Sequence, residues 1–296
     1  MAQPKPRNIV LTGGARGIGR ALTRHLFLGG HKLFLIDVDG EELSYTINEH
    51  LPSVIKAQPE SSQQQHDTSR VSSCAADLRD AKAIQAAVEQ AAKFFDGRID
   101  VLINNAGIAR AMWPDGKTIE DDILDDWQAY VETNLTGPFV MSRACIKYMK
   151  AANRSKQGEV EGEEEPDRTP GASIINISSF RAKQSQPHCE GYGATKAGLL
   201  GLTHAMAMSG AEWGVRCNAI LPGYIEVSYE SRAGDERGSK WAETVGMDRH
   251  RKHPAGRVGH GDDIAKTVDW LMDAGFVTGQ EIVVDGGASK VKFEHS

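Results

Sequence analysis

Cysteine is scarce in this sequence. Its four cysteines, Cys74, Cys145, Cys189 and Cys217, are scattered over 296 positions with no CxxC pair. That pattern offers neither a zinc-binding spacing nor a disulfide framework, and it fits a reducing, intracellular compartment. No signal peptide is expected, because MAQPKPRNIV has no apolar core and no cleavage site. No apolar run approaches the roughly 18 to 20 residues that a membrane helix needs. The expectation is therefore a soluble, cytoplasmic protein without a membrane partner. Basic residues are not in excess, with 34 Lys and Arg against 40 Asp and Glu and a formal charge of −6. Such a balance gives no general attraction to nucleic acid or to an anionic surface. The ten histidines include no HExxH or other recognisable ligand spacing, so no catalytic metal is expected. Internal repeats are absent. What is present is ordinary for a globular chain, 40% hydrophobic and 25% charged, and the reading is one domain over 1–296.

Apolar runs and helical patterns alternate along the chain. The first run, residues 8–12, leads into TGGARGIG and then RALTRHLFLGG, which reads as strand, glycine turn and helix. Gly13, Gly17 and Gly19 stand where such a turn needs a sharp bend, a close approach to phosphate and a helix packed on its strand; a diphosphate fits at the helix amino end. The second run, KLFLIDVD, brings Asp37 near its end, at the distance expected for a carboxylate that accepts hydrogen bonds from an adenosine ribose. Its charge would repel a ribose phosphate.

A helix is expected over 41–56, a polar glutamine-rich surface loop over 58–70, and a short strand over 71–76. Asp77 and Leu78 follow that strand, where ligands of open α/β sheets gather; a plain helix cap is the other reading of Asp77. IDVLINNAG is the fourth strand, closed by Asn105, Ala106 and Gly107, small and amide residues suited to backbone packed on a nucleotide. A long helix over 123–152 has Asn134 in its middle, a position that calls for a reason, either a water relay or else a local bend or a polar contact. The acidic, Gly- and Pro-containing stretch 153–171 reads as an exposed, flexible insertion. SIINISS is the fifth strand, 192–213 an amphipathic helix, and VRCNAI the sixth strand, after which Pro222 and Gly223 turn the chain outward. The polar segment 224–257 is a candidate lid. A capped helix and TGQEIVVDGG, a seventh strand, complete a parallel sheet covered on both faces.

The stretch SFRAKQSQPHCEGYGATK, residues 179–196, carries the chemistry. Tyr192 and Lys196 lie four apart, hence on one helix face about 5 to 6 Å from each other. An ammonium beside a phenol favours the phenolate and lowers its pKa from about 10, which makes the pair a candidate acid/base device. Ser179 ends the fifth strand and can hold a substrate oxygen beside the phenol. Phe180, Gln186, His188, Cys189, Tyr224 and the lid are expected to line the pocket. Their polarity, with Arg249, Arg251 and Lys252 nearby, points to a sugar, a polyol or an acidic metabolite.

Taken together, TGGARGIG, Asp37, Asp77, NNAG, Asn134, Ser179, YGATK, LPGYI and TGQEIVVDGG stand in an order and spacing that resembles the short-chain dehydrogenase/reductase family over nearly the whole chain, residues 6–289. The resemblance implies an α/β fold, a Rossmann-type doubly wound sheet of seven parallel strands in three αβα layers, and a nicotinamide cofactor. It implies a tetrad in which Tyr192 is the acid/base, Lys196 binds the nicotinamide ribose and lowers the tyrosine pKa, Ser179 orients the substrate oxygen and Asn134 holds a relay water. Ser179 is chosen over Ser178 because its distance from Tyr192 matches the family spacing. Cofactor contacts are implied for Gly13, Arg16, Gly17, Ile18, Gly19, Asp37, Asp77, Leu78, Asn105, Ala106, Gly107, Tyr192, Lys196, Pro222, Gly223 and Ile225. Asp37 favours NAD, although Arg16 could reach the extra phosphate of NADP. Val227 departs from the family, where a threonine bonding the nicotinamide amide or phosphates is common. Substrate contacts are expected from Ser179, Phe180, His188, Tyr192 and Tyr224. The implied activity is hydride transfer between NAD and a secondary alcohol or ketone; an NADPH-dependent 3-oxoacyl or polyketide-type reductase is the alternative, and a non-catalytic cofactor-binding regulator a third. A homodimer or homotetramer is expected by the same resemblance.

Overall fold

Short runs such as NIVLT and SIINI are apolar on both faces, so each can be satisfied only inside a sheet covered on two sides. The computed structural model, which describes residues 5–60, 67–154 and 170–291, shows that sheet. Its strands are β1 (Asn8–Thr12), β2 (Lys32–Asp37), β3 (Val71–Ala75), β4 (Val101–Asn104), β5 (Ser173–Ile177), β6 (Arg216–Pro222) and β7 (Glu281–Val284). All neighbours are parallel, in the order β3-β2-β1-β4-β5-β6-β7. The chain runs outward from β1 in one direction and from β4 in the other. The strand ends at that divergence form the crevice in which open α/β sheets bind ligands.

Helices cover both faces. On one, α1 (Gly17–Leu28) and the late helix Gly261–Asp273 bury Leu22, Leu26, Ile264 and Val268 against Ile9, Leu11 and Leu33. On the other, the helices Ala81–Phe94 and Gly137–Arg154 bury Ile84, Val88, Met141 and Cys145 against Val10, Phe34 and Ile174. Each such aliphatic side chain contributes about 1.5–3 kcal/mol when taken from water.

Several sequence expectations need correction. The helix expected over 41–56 is broken into α2 (Gly40–Tyr45), a π-helical turn Thr46–His50 and α3 (Leu51–Lys56). After α4 (Ala81–Phe94), the helix expected over 123–152 is likewise α5 (Leu124–Val131), a π-helical turn Glu132–Thr136 and α6 (Gly137–Arg154). Helix α7 (Glu190–Ala211) starts two residues before Tyr192, and it buries Lys196 and Thr203 beside Leu199 and Leu200, so its inner face is not a plain apolar stripe. Strand β6 continues through Pro222, which pairs with Val284 at the sheet edge next to β7. The cap of α4 is Asp80, which accepts from the amides of Lys82 and Ala83; Asp77 is not the cap. The candidate lid is built of α8 (Arg232–Glu236), α9 (Trp241–Thr244) and α10 (Met247–Arg251), followed by α11 (Gly261–Asp273). Residues 61–66 of the glutamine-rich loop and 155–169 of the acidic insertion lie outside the described residues.

Candidate active site

Every strand that reaches the crevice contributes to one cavity of about 710 Å³. Gly13, Arg16, Gly17, Ile18 and Asp37 line one end; Ser179, Tyr192, Lys196 and Tyr224 line the other. Asn105, Ala106 and Gly107 join the two, with Pro222, Gly223 and Ile225 opposite. A second cavity of about 320 Å³ opens beside Asp37 and is lined by Val38, Asp77, Leu78 and Arg79.

The glycine turn is shaped by its backbone. Gly13 has φ +67°, and a Cβ there would lie 2.7 Å from the Ala106 Cα; Gly17 has φ +60°. Gly19 does not line the cavity. A Cβ on it would meet the Gly13 carbonyl oxygen at 1.7 Å, so it is the residue that lets α1 close onto the turn. Asp37 accepts from the Ala15 amide at 3.1 Å and from the Asp39 amide at 3.2 Å, which turns its carboxylate toward the glycine loop. Asp77 is clamped by Arg79 through contacts of 2.6–3.1 Å, and these hydrogen bonds hold its carboxyl below the usual range despite some burial.

At the other end, α7 presents Tyr192 and Lys196 side by side. Burial dominates both. It pushes the Lys196 ammonium down to about 8 and raises the Tyr192 phenol above its ordinary value; a hydrogen bond with Ser179 opposes the rise without cancelling it. The expectation that Lys196 lowers the tyrosine pKa is not met in this geometry. Its Nζ turns to the Ile177 carbonyl at 2.9 Å and stands 5.7 Å from the Tyr192 ring centre, while the phenol loses solvation. Ser178 donates to the Lys196 carbonyl at 2.8 Å and thereby ties β5 to α7; the Ser179 hydroxyl accepts from the Arg181 amide at 3.1 Å. Asn134 is buried in the π turn. Its Oδ1 accepts from the Ile108 amide at 2.7 Å and its Nδ2 donates to the Ile108 carbonyl at 3.2 Å. The bend and the polar contact that its mid-helix position suggested are thus one feature, and it fixes the loop leaving β4.

Phe180, Gln186, His188 and Cys189 do not line the cavity. The Phe180 ring is covered by Arg181, with the guanidinium 4.6 Å from its centre; His188 is exposed at φ +61°; Cys189 is buried at the start of α7. Tyr224 does line it, and its hydroxyl donates to Glu226 at 2.9 Å and accepts from Arg249 at 2.5 Å. The sequence reading missed Ile108 and Ala109, which lie on the irregular loop after β4 with no local signal; Ser228, Glu230 and Ser231 line the cavity from within the expected lid segment 224–257.

The residues present fit a dinucleotide. A two-lobed hollow runs from a carboxylate at a strand end, past glycines whose missing Cβ atoms leave room, to a buried ammonium. Gly107 marks the junction, because a Cβ on it would come 2.9 Å from Asn134 Oδ1 and 3.6 Å from Lys196 Nζ. Lys196 has three donors, and Ile177 is the one acceptor recorded for it among the described residues. Among those residues there is no group of three or more His, Cys, Asp or Glu able to hold a metal ion, and no helix is long and apolar enough to cross a membrane.

Comparison with known proteins agrees with this geometry. An uncharacterised oxidoreductase of Thermotoga maritima is 34% identical over 281 residues, which cover 94% of each chain. The acetoacetyl-CoA reductase of Shinella zoogloeoides is 33% identical, covering 95% of this chain and 98% of its own. An apo SCOR enzyme from Clostridium thermocellum superposes with a TM-score of 0.75 at 28% identity, over 98% of this chain and 96% of the other. The family model described as short chain dehydrogenase matches residues 7–238. With that match spanning the glycine turn, β4, Tyr192 and Lys196, the chain belongs to the short-chain dehydrogenase family and is an NAD(P)-dependent oxidoreductase acting on carbonyl or hydroxyl groups.

Proposed function

We propose that this enzyme transfers hydride between NAD(H) and a secondary alcohol or its ketone, with Tyr192 as the acid/base. The observation that carries the reading is the convergence of Tyr192, Ser179 and Lys196 at one end of a cavity whose far end finishes at Asp37. When bound, the nicotinamide supplies the hydride acceptor or donor. The protein's part is binding, orientation and proton movement. Ser179 holds the substrate oxygen within reach of the phenol. In the oxidising direction Tyr192 takes the hydroxyl proton, and in reduction it returns one to the carbonyl oxygen. Lys196 offers its unused donors to ribose hydroxyls and places positive charge near the phenolate as it forms. Asn134 keeps the Ile108 loop and Gly107 back from that centre.

Asp37 supports NAD over NADP, because a carboxylate held at the strand end accepts from a free ribose hydroxyl and repels a phosphate. Tyr224, which lines the cavity with its hydroxyl bonded to Glu226 and Arg249, suits a hydroxylated or charged substrate such as a sugar, a polyol or a hydroxy acid. The relative named acetoacetyl-CoA reductase favours a second reading, reduction of a 3-oxoacyl thioester, with Arg16 then meeting the phosphate of NADPH. Assembly as a dimer or tetramer and a cytoplasmic location accompany either reading.

Calorimetric titration with NADH and, separately, NADPH tests the cofactor assignment, followed by a spectrophotometric screen of sugars, polyols, hydroxy acids and 3-oxoacyl thioesters with the tighter cofactor. Tighter binding of NADH is expected. Tighter binding of NADPH, with turnover confined to thioesters, would replace the first reading by the second.

A further inference from the structure

Helix α1 carries a charged residue on the side that faces the protein interior. Arg20 is 1% exposed, and its guanidinium is spent on the segment after β6. Its Nε donates to Glu230 Oε2 at 3.0 Å, its two terminal nitrogens fork onto the Asp235 carboxylate at 2.7 and 3.0 Å, and one of them also donates to the Tyr229 carbonyl at 3.0 Å. Glu230, also 1% exposed, takes a further bond from Arg24 at 2.9 Å. Asp235 is reached from a third side by the Tyr45 hydroxyl and by His50 Nδ1, each at 3.2 Å. Residues 229–235 are thereby tied to α1 and to the helical stretch that follows β2.

That stretch of chain is part of the cavity. The Glu230 carbonyl accepts the Gly17 amide at 2.8 Å, and Val227, Ser228, Glu230 and Ser231 form the wall that faces Arg16, Gly17 and Ile18. A Cβ on Gly17 would stand 3.6 Å from Val227 Cγ2, which shows how closely the wall approaches the turn. Val227 has no hydroxyl with which a bound ligand could draw the wall inward. An apolar residue at position 20 could fill the same space, but it could not fix the wall's orientation. A planar guanidinium forked onto one carboxylate and bonded to a second sets both distance and angle.

We propose that Arg20 is a positioning residue for the cofactor: it holds residues 229–235 against α1, so the outer wall of the diphosphate channel is in place before the dinucleotide arrives. The proposal rests on the dinucleotide reading above. A wall set in advance removes the ordering that binding would otherwise require, and its loss appears in affinity before it appears in turnover.

The test compares wild type, Arg20→Met and Asp235→Asn. The second variant keeps the side-chain volume at a partly exposed position, so it remains informative where loss of a buried charge partner prevents folding of the first. Amide hydrogen exchange on cofactor-free protein comes first. The expected result is exchange about tenfold faster at the Gly17 amide and across 228–236 in Arg20→Met, and about threefold faster in Asp235→Asn, with β1 and β4 unchanged. Fluorescence titration should then show NADH dissociation constants raised by about the same factors, while kcat at saturating cofactor falls less than about twofold. Unchanged exchange in 228–236 overturns the proposal. So does a loosened segment with wild-type NADH affinity, which would make Arg20 a stabilising residue alone. Failure of the wild type to bind NADH or NADPH would instead sink the dinucleotide reading and the cofactor role together, whereas the exchange result would still judge the anchor itself.

Discussion

The two ends of the cavity treat buried charge in opposite ways. At the reacting end Lys196 is buried with a neutral carbonyl as its recorded partner, and its ammonium is pushed down to about 8. At the glycine-turn end Arg20 and Glu230 are as deeply buried, yet each is bonded to opposite charge. There burial again opposes ionisation of Asp235, but the Arg20 bonds and charge outweigh it and its pKa falls below the ordinary carboxylate value. A charge left without a counter-ion can be donated to a ligand or can lose its proton. A charge clamped by a fork does neither, and what it supplies is geometry. The comparison separates residues of the reaction from residues of the frame, and substitutions at the two ends should fail differently.

The largest effect is expected from Tyr192→Phe, which removes the proton donor and acceptor and keeps the ring. Its kcat should fall by about 10³-fold, with NADH affinity within about threefold of wild type. A fall of less than about tenfold would move the acid/base role elsewhere. Asp37→Asn keeps an acceptor for the Ala15 amide and removes the charge that repels a ribose phosphate. The ratio of NADPH to NADH dissociation constants should drop by about tenfold or more, and an unchanged ratio would mean that the carboxylate does not read the ribose. Asn134→Ala leaves the Ile108 amide and carbonyl without their partner. Thermal and denaturant unfolding should report a loss of about 1–3 kcal/mol, together with lower kcat because the loop behind Gly107 is freed.

The smallest effects are in the pH dependence of stability, where both ends give a rise with pH but in different windows, alkaline for Lys196 and acid for Asp235. Lys196 titrates near 8 when folded and near 10.5 when unfolded, so between those values the unfolded chain binds more protons and stability rises with pH. Lys196→Met should abolish that rise in cofactor-free protein. Asp235 has its folded pKa depressed, so its stabilisation is present above about 3.8 and disappears as pH falls through the lowered value. Asp235→Asn should flatten that acid limb. Denaturant midpoints measured across both windows check the pair, and equal slopes in wild type and variants would erase the distinction between the two ends.

Much of the site could be read in the chain because its determinants are local. TGGARGIG between an apolar run and a helical pattern calls for a strand, a turn and a helix, since positive φ at Gly13 and Gly17 is cheap only for glycine. Tyr192 and Lys196 share a face because four residues make about one helical turn. Alternating apolar runs and helices require a parallel sheet whatever their partners. Other features depend on distant residues. The π turn at Asn134 exists where the Ile108 loop offers both an amide and a carbonyl to its side chain. Phe180 and His188 follow Ser179 closely in sequence, but one lies under Arg181 and the other points outward, so neither enters the cavity.

Arg20 is the clearest case of this second kind. Nothing in the helix RALTRHLF marks it for burial, and the partners that allow it to be buried are more than 200 residues away, at Tyr229, Glu230 and Asp235. The sequence alone determined the sheet, the glycine turn and the Tyr192–Lys196 pair, because backbone sterics and side-chain period act over a few residues. Only the tertiary structure decided which charges are clamped, which are left without a counter-ion and which side chains face the cavity. Desolvation and ion pairing depend on neighbours that the fold brings together, and no stretch of sequence carries its own dielectric.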